Sequence, residues 1–392
     1  MTIDSSTLPT AGAAPRDGAS RQDVEPTSAT LDLADQDEGP EAGPPENLGK
    51  RMLEPRTLAS FAFAVLILVF TFRSLKIDPA EVWGKLRQAN IGYLAIAFFM
   101  YYGALFLRGL RWKNMLARVG IDQAHGFDMP GPFGMLHIIV LSWFANCVLP
   151  ARLGDAYRSY LLKQKNGASF GRSLGTILAE RLIDLVCLVL VLTVSGAIVF
   201  GTKVPHRAEQ AFLLGVTVVA IGVVGAIVLW LARDRVERWL PDRISSHYQR
   251  LHDGIFNILR RPLPYTAVGL VLWITDGLRL MFVAKSLGLS LTLPEATMVA
   301  LLSALVTIVP ITPAGLGVVE GFMIWLLPQV GISGDSAAAV ALLDRFVTYF
   351  SVIIIGVPLY LIALRTTVAT KQPDPAASEP VTDGHADAMT TG

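Results

Sequence analysis

A chain of 392 residues that is 52% hydrophobic and only 17% charged is excluded from the water-soluble globular class, in which roughly a quarter of residues are charged. The net charge of +1 gives no electrostatic case for nucleic acid, and none is expected as a partner. The apolar residues fall in long runs, which specifies an all-α polytopic membrane protein.

Residues 1–47 are rich in Ala, Pro, Asp, Glu, Ser and Thr and nearly free of large apolar side chains. Such a segment buries too little surface to offset its ordering entropy, so 1–50 is expected to be a disordered tail, as is 366–392. The N-terminus lacks the basic and apolar regions of a signal peptide. Between the tails, 55–365 forms the membrane domain. Six stretches are predicted to span: Leu58–Leu75, Ile91–Leu107, Leu182–Phe200, Ala211–Ala232, Tyr265–Leu287 and Ala337–Leu364. Asp78–Gln88 reads as a short interfacial amphipathic helix. Phe133–Leu149, Ala296–Val309 and Val318–Leu327 are short or interrupted and flank two breaks, Pro150-Ala-Arg-Leu-Gly154 and Pro313-Ala-Gly-Leu-Gly317.

Charge placement decides how these segments thread. If both broken segments re-enter, residues 108–172 and 233–262, with nine and seven Lys/Arg, fall on the N-terminal side. The opposite loops 73–90, 201–210 and 288–336 then carry four, two and none. The positive-inside rule favours this arrangement and places both termini in the cytoplasm. The expected architecture is about six spans plus two re-entrant segments.

The breaks belong to a longer duplication. Gly109-Leu110-Arg111 precedes Gly120 by eleven residues, as Gly277-Leu278-Arg279 precedes Gly288. About thirty residues after each break comes an acidic–Arg pair, Glu180–Arg181 and Asp344–Arg345. Counting crossings, the two copies run in opposite senses, an inverted repeat of the kind that builds transporter sites near the bilayer midplane.

Proline and glycine inside an apolar segment free backbone groups that lipid cannot satisfy, so Pro150, Gly154, Pro313, Gly315 and Gly317 must face protein or a wet cavity. The helix beginning near Val318, with Glu320 in its first turn, would present free amides and partial positive charge to such a cavity. A kink or tight helix approach is the alternative. In the first copy Arg152, Asp155 and Arg158 share a helical face, which also suits an ordinary interfacial helix.

Charge inside the spans is the strongest signal. Glu180, Arg181 and Asp184 begin one span, with Glu180 and Asp184 on one face. Asp276 and Arg279 lie in another; Asp344, Arg345 and Tyr349 lie in the last. Each charge costs about 2.5–3.5 kcal/mol at the bilayer centre, so they must pair, reach an interface or line a polar cavity. Ion pairs that hold helices together are compatible with a binding role. The two cysteines, Cys147 and Cys187, lack metal-ligand spacing and read as small buried hydrophobes. His247 and His252 read as residues of a solvated basic loop. No nucleophile–base constellation or phosphate loop is present, so no catalytic residue, metal or cofactor is assigned.

Arg108-Gly109-Leu110-Arg111-Trp112, Leu149-Pro150-Ala151-Arg152-Leu153-Gly154-Asp155-Ala156-Tyr157-Arg158, Glu180-Arg181-x-x-Asp184 and Pro313-Ala314-Gly315-Leu316-Gly317-Val318-Val319-Glu320-Gly321 resemble the flippase-like membrane domain of lysylphosphatidylglycerol synthases. The likeness covers roughly 55–365. In the bifunctional synthases this domain is implicated in moving aminoacylated lipid between leaflets, while aminoacyl transfer belongs to a soluble domain for which the short tail here leaves no room. The resemblance implies a bacterial or archaeal cell-membrane protein that handles membrane lipids with an anionic head group. Arg181, Arg279 and Arg345 are expected to contact phosphate, with Glu180, Asp276 and Asp344 compensating their charge. A membrane enzyme, or a partner of a lipid-modifying synthase or glycosyltransferase, is the competing expectation. A third is a scaffold that binds such enzymes through 233–262.

Overall fold

The computed structural model describes residues 55–148, 153–201, 242–307, 312–332 and 334–370, with scattered positions in 213–228. Pro150, Arg152, most of the span predicted at Ala211–Ala232 and both tails up to residue 54 and from 371 lie outside the described residues. Twelve α-helices and no strand are present among the described residues: α1 Pro55–Ser74, α2 Pro79–Arg87, α3 Ile91–Arg118, α4 Pro132–Val148, α5 Gly154–Asn166, α6 Phe170–Phe200, α7 Asp242–Leu259, α8 Leu263–Ser286, α9 Leu293–Val306, α10 Val318–Leu326, α11 Gly334–Arg345 and α12 Ser351–Thr370.

Among the described residues, four helical stretches are long and apolar enough to cross a membrane: Ile91–His125, Phe170–Phe200, Leu263–Ser286 and Gly334–Ala363. The 31 residues of α6 extend for about 46 Å, well beyond about 30 Å of hydrocarbon. By contrast α4, α9 and α10 have 17, 14 and 9 residues, or about 25, 21 and 14 Å. The span predicted at Leu58–Leu75 falls on the 20-residue α1. Phe70, Phe99 and Ile354 are 68%, 72% and 62% exposed, a surface that water would penalise and lipid accepts.

Local chemistry sets the helix ends. Asp78 caps α2 by accepting from Ala80 N, and Asn90 caps α3 by accepting from Gly92 N and Tyr93 N. Thr292 and Glu295 form a capping box at α9. The last span is continuous but not regular. Between α11 and α12, Phe346–Phe350 form a π-turn, a feature that recurs at functional sites. There Tyr101 OH donates to the Thr348 carbonyl at 3.0 Å.

Small residues let the helices approach. A Cβ on Gly109 would sit 3.4 Å from the α4 backbone, and one on Gly277 would collide with Thr297 of α9. The two Gly-Leu-Arg motifs therefore do the same packing job, admitting the next helix against the glycine. Gly175 and Gly254 meet at the α6–α7 crossing. Residues 233–262 are not wholly a solvated basic loop. Their second half is helix α7, with His252, Ile255 and Ile258 buried, so His252 is not a loop residue in water. The apolar positions at 251, 255 and 258 follow helical spacing, which outweighs the charge count.

Candidate functional site

The charges predicted within the spans form one network on the facing sides of α3, α5, α6, α8, α10 and α11. Arg111, from the first Gly-Leu-Arg motif, is gripped by two carboxylates one turn apart on α6. Its Nη2 lies 2.7 Å from Glu180 Oε1 and its Nη1 2.7 Å from Asp184 Oδ1. Glu180 Oε2 accepts from Arg158 Nη2 of α5 at 2.7 Å, while that guanidinium lies over Trp112. Arg181 points away from Glu180 and holds Asp155 of α5 bidentately, at 2.9 and 2.7 Å.

The second motif repeats the scheme. Arg279 donates to Asp344 and lies 3.7 Å from Asp276. Arg345 Nε faces Glu320 Oε1 of α10 at 3.1 Å. Between the halves, Arg108 is 3.5 Å from Asp184 and 3.8 Å from Asp276, with its guanidinium between Trp143 and Trp273. Six arginines (108, 111, 158, 181, 279, 345) thus meet six carboxylates (155, 180, 184, 276, 320, 344). A balanced set is what an apolar medium tolerates, since each isolated charge there would cost several kcal/mol.

A cavity of about 460 Å³ opens within this network. Arg108, Arg181, Arg279 and Arg345 line it together with Asp155, Asp184, Asp276 and Asp344. Tyr101, Trp143, Trp273 and Tyr349 add aromatic surface, and Leu185, Leu188 and Leu280 an apolar wall. Tyr349 OH donates to the Cys147 carbonyl at 3.2 Å. The cavity therefore offers polar and apolar surface side by side, which suits an amphiphile.

Eight of the sequence-predicted residues line the cavity: Asp155, Arg181, Asp184, Asp276, Arg279, Asp344, Arg345 and Tyr349. Arg158, Glu180 and Glu320 are buried in the network behind its wall. Gly154 packs where a Cβ would strike the Ser142 carbonyl and Asn146, and its N–H donates to Asn146 Oδ1 at 2.8 Å. Pro313 opens a short 3-10 turn, followed by Gly315 and Gly317 at φ +72° and +81°. The expected charge compensation is redistributed: Glu180 does not pair with Arg181, nor Asp344 with Arg345. Successive helical residues point in different directions, so each reaches its own partners: Glu180 reaches Arg111 and Arg158, Arg181 reaches Asp155, Asp344 reaches Arg279 and Arg345 reaches Glu320. Arg158 and Asp155 likewise serve separate partners on α6. Sequence reasoning missed Arg108 and Arg111 as site residues, although Arg111 occupies in the first motif the place of Arg279 in the second. Trp143 and Trp273 carried no signal, being aromatics in apolar helices.

Asp155 lies on α5, outside the long spans. Burial raises its pKa, but the hydrogen-bonded Arg181 more than reverses this and holds the carboxyl below its usual range. A carboxyl depressed by folding contributes stability above its unfolded-state value of about 3.9, and that contribution is lost as pH falls through the folded value. The pair is part-exposed, 32% for Arg181 and 20% for Asp155. Asp155→Asn is therefore expected to cost only about 1 kcal/mol at neutral pH. It should also flatten the fall in Tm between neutral and acid pH. A variant profile parallel to the wild type would show that the pair contributes nothing.

The helices and their buried charges define a multi-pass membrane protein. The profile of the lysylphosphatidylglycerol synthase TM region matches residues 57–356, and the chain belongs to that family. It is 30% identical over 223 residues to a UPF0104 membrane protein of Methanocaldococcus jannaschii, covering 57% of this chain and 95% of that protein. A UPF0104 membrane protein of Methanothermobacter thermautotrophicus is 23% identical over 323 residues, covering 76% and 90%. The glycosyltransferase AglD of Haloferax volcanii is 26% identical over 331 residues, which make up 74% of this chain but 52% of that protein.

Proposed function

We propose that this chain is a lipid translocase that accepts the anionic head group of a phospholipid or glycolipid while the acyl chains stay in the bilayer. The observation that carries the reading is the cavity of about 460 Å³ lined by four arginines and four carboxylates in a protein whose outer surface is apolar. A polar cavity in a membrane protein is maintained against its insertion cost by what it binds or conducts.

Alternating access is supported by the doubled ion-pair scheme. Arg111 reaches Glu180 as Arg279 reaches Asp344, and Arg181 reaches Asp155 as Arg345 reaches Glu320. Packing follows the same exchange: α6 packs on α9 and α12 on α4. We read this as an inverted repeat, with the short α4 and α9 as re-entrant arms and both termini cytoplasmic, as the Lys/Arg distribution favours. The test is lipid exchange between leaflets in proteoliposomes with fluorescent phospholipids of several head groups. Wild type should exchange at least one, and Ala304→Trp, which fills the cavity from α9, should stop it while the protein stays folded. Exchange by the plugged variant at the wild-type rate would refute transport through this cavity.

The likeness to AglD, named a glycosyltransferase, favours one second reading: a membrane subunit in the synthesis of sugar-linked lipids. It predicts that a deletion strain loses a defined lipid product and that the purified protein exchanges nothing.

A further inference from the structure

Two of the cations that line the cavity keep buried nitrogens without a hydrogen-bond partner: Arg279 at Nε alone, while it still donates to Asp344, and Arg345 at both Nε and Nη2. Arg181 is held bidentately by Asp155, Arg279 lies between Asp344 and Asp276, and Arg108 lies between Asp184 and Asp276. Arg345 differs. Its residue is 8% exposed, Nε faces Glu320 Oε1 at 3.1 Å, and Nη2 is buried without a hydrogen-bond partner. Glu320 is 2% exposed, and its Oε2 also lacks a partner. Leaving such groups unmade is costly, and a buried guanidinium nitrogen without an acceptor needs an explanation.

Nη2 is directed at the turn that precedes α10. It lies 3.8 Å from where a Gly315 Cβ would be, two residues before the α10 N-cap, Gly317. That cap has no side-chain hydrogen bond, so the first amides of this nine-residue helix have no side-chain acceptor there. Ala314 before the helix and Val319 in its first turn both line the cavity beside Arg345. A guanidinium fork and a helix N-terminus converging on one space form an anion site.

We infer that Arg345 and the N-terminus of α10 form the anion subsite of the cavity, that it takes a phosphate-type oxyanion, and that Glu320 is the resident competitor the anion displaces from Arg345. The positive φ of Gly315 favours glycine, whose missing side chain leaves the space between this turn and Arg345 Nη2 open. Glu320, in the first turn of α10, neutralises Arg345 while the subsite is empty and repels an incoming anion. The inference rests on the lipid reading for the source of the phosphate but not on movement of the lipid.

The experiment is calorimetric titration of the purified full-length protein in detergent with inorganic phosphate and, separately, with glycerophosphoglycerol, a lipid phosphodiester without acyl chains. Binding of at least one probe is expected, weakened about 10- to 100-fold by Arg345→Gln, the range of a charge-assisted hydrogen bond. Glu320→Gln, which keeps the shape and removes the competing charge, should tighten binding roughly ten-fold. A gain in affinity is not explained by misfolding. Preference for the diester assigns the subsite to a lipid head group, and equal or better binding of inorganic phosphate assigns it to the free anion. Binding of neither probe to wild type, affinity indifferent to Arg345→Gln, or weaker binding in Glu320→Gln each overturns the inference. Leaflet exchange is measured separately: binding without exchange keeps the subsite and removes translocation, and exchange without binding does the reverse.

Discussion

Glu180→Ala is expected to cost about 3–5 kcal/mol, the penalty for breaking a buried ion pair from one side. Glu180 is 2% exposed and accepts from two guanidinium groups, Arg111 and Arg158, at 2.7 Å each. Arg111 would keep Asp184, at 2.7 Å, but Arg158 would keep only its position over Trp112. A buried arginine facing an aromatic ring and an apolar gap lacks the compensation its desolvation requires. The loss should appear as a large drop in Tm in detergent, or as failure to recover folded protein. Adding Arg158→Met to Glu180→Leu should restore much of the stability, because an apolar pair of similar volume replaces the ion pair without stranding a charge. If Glu180→Ala melts with the wild type, the network does not hold α3, α5 and α6 together. The neighbouring Asp155–Arg181 pair is part-exposed, so its loss should be several times smaller.

Gly317→Ala is expected to be the most damaging single-methyl addition at the second break, with a cost on the order of 3 kcal/mol, from backbone strain and overpacking together. Gly317 has φ +81° and ψ −46°, a conformation an L side chain rarely adopts. A Cβ there would also strike the backbone carbonyl of Ala64 on α1, which cannot rotate aside. Gly315→Ala makes the control. Its φ of +72° imposes a similar conformational strain, but its Cβ would meet mainly the Val319 Cγ2 at 2.8 Å, the end of a side chain. Gly315→Ala should therefore lower the Tm less than Gly317→Ala. Equal losses would mean that the close approach of α1 does not contribute.

The membrane class, the family and most of the site's residue types were legible in the linear chain, because each leaves a local signature. Long apolar runs announce four of the spans directly. Arginine and aspartate inside such runs are conspicuous at once, since insertion penalises them. The Pro-Ala-x-Leu-Gly breaks are visible because proline and glycine act on their own backbone.

Who pairs with whom was not legible. The sequence places Glu180 beside Arg181 and Asp344 beside Arg345, and adjacency along the chain suggests partnership. Only the packing of α3, α5, α8 and α10 around these residues gives each of the four charges partners on other helices instead of its chain neighbour. The same packing brings Trp143 and Trp273 to either side of Arg108 and leaves Arg345 with a nitrogen unengaged. The sequence by itself determined that the chain lives in a membrane and must shelter these charges, because the cost of charge in lipid depends on residue type alone. The tertiary structure decided which charges are neutralised, which face a cavity and which remains available, because ion pairing depends on distances of a few ångströms between helices far apart in sequence.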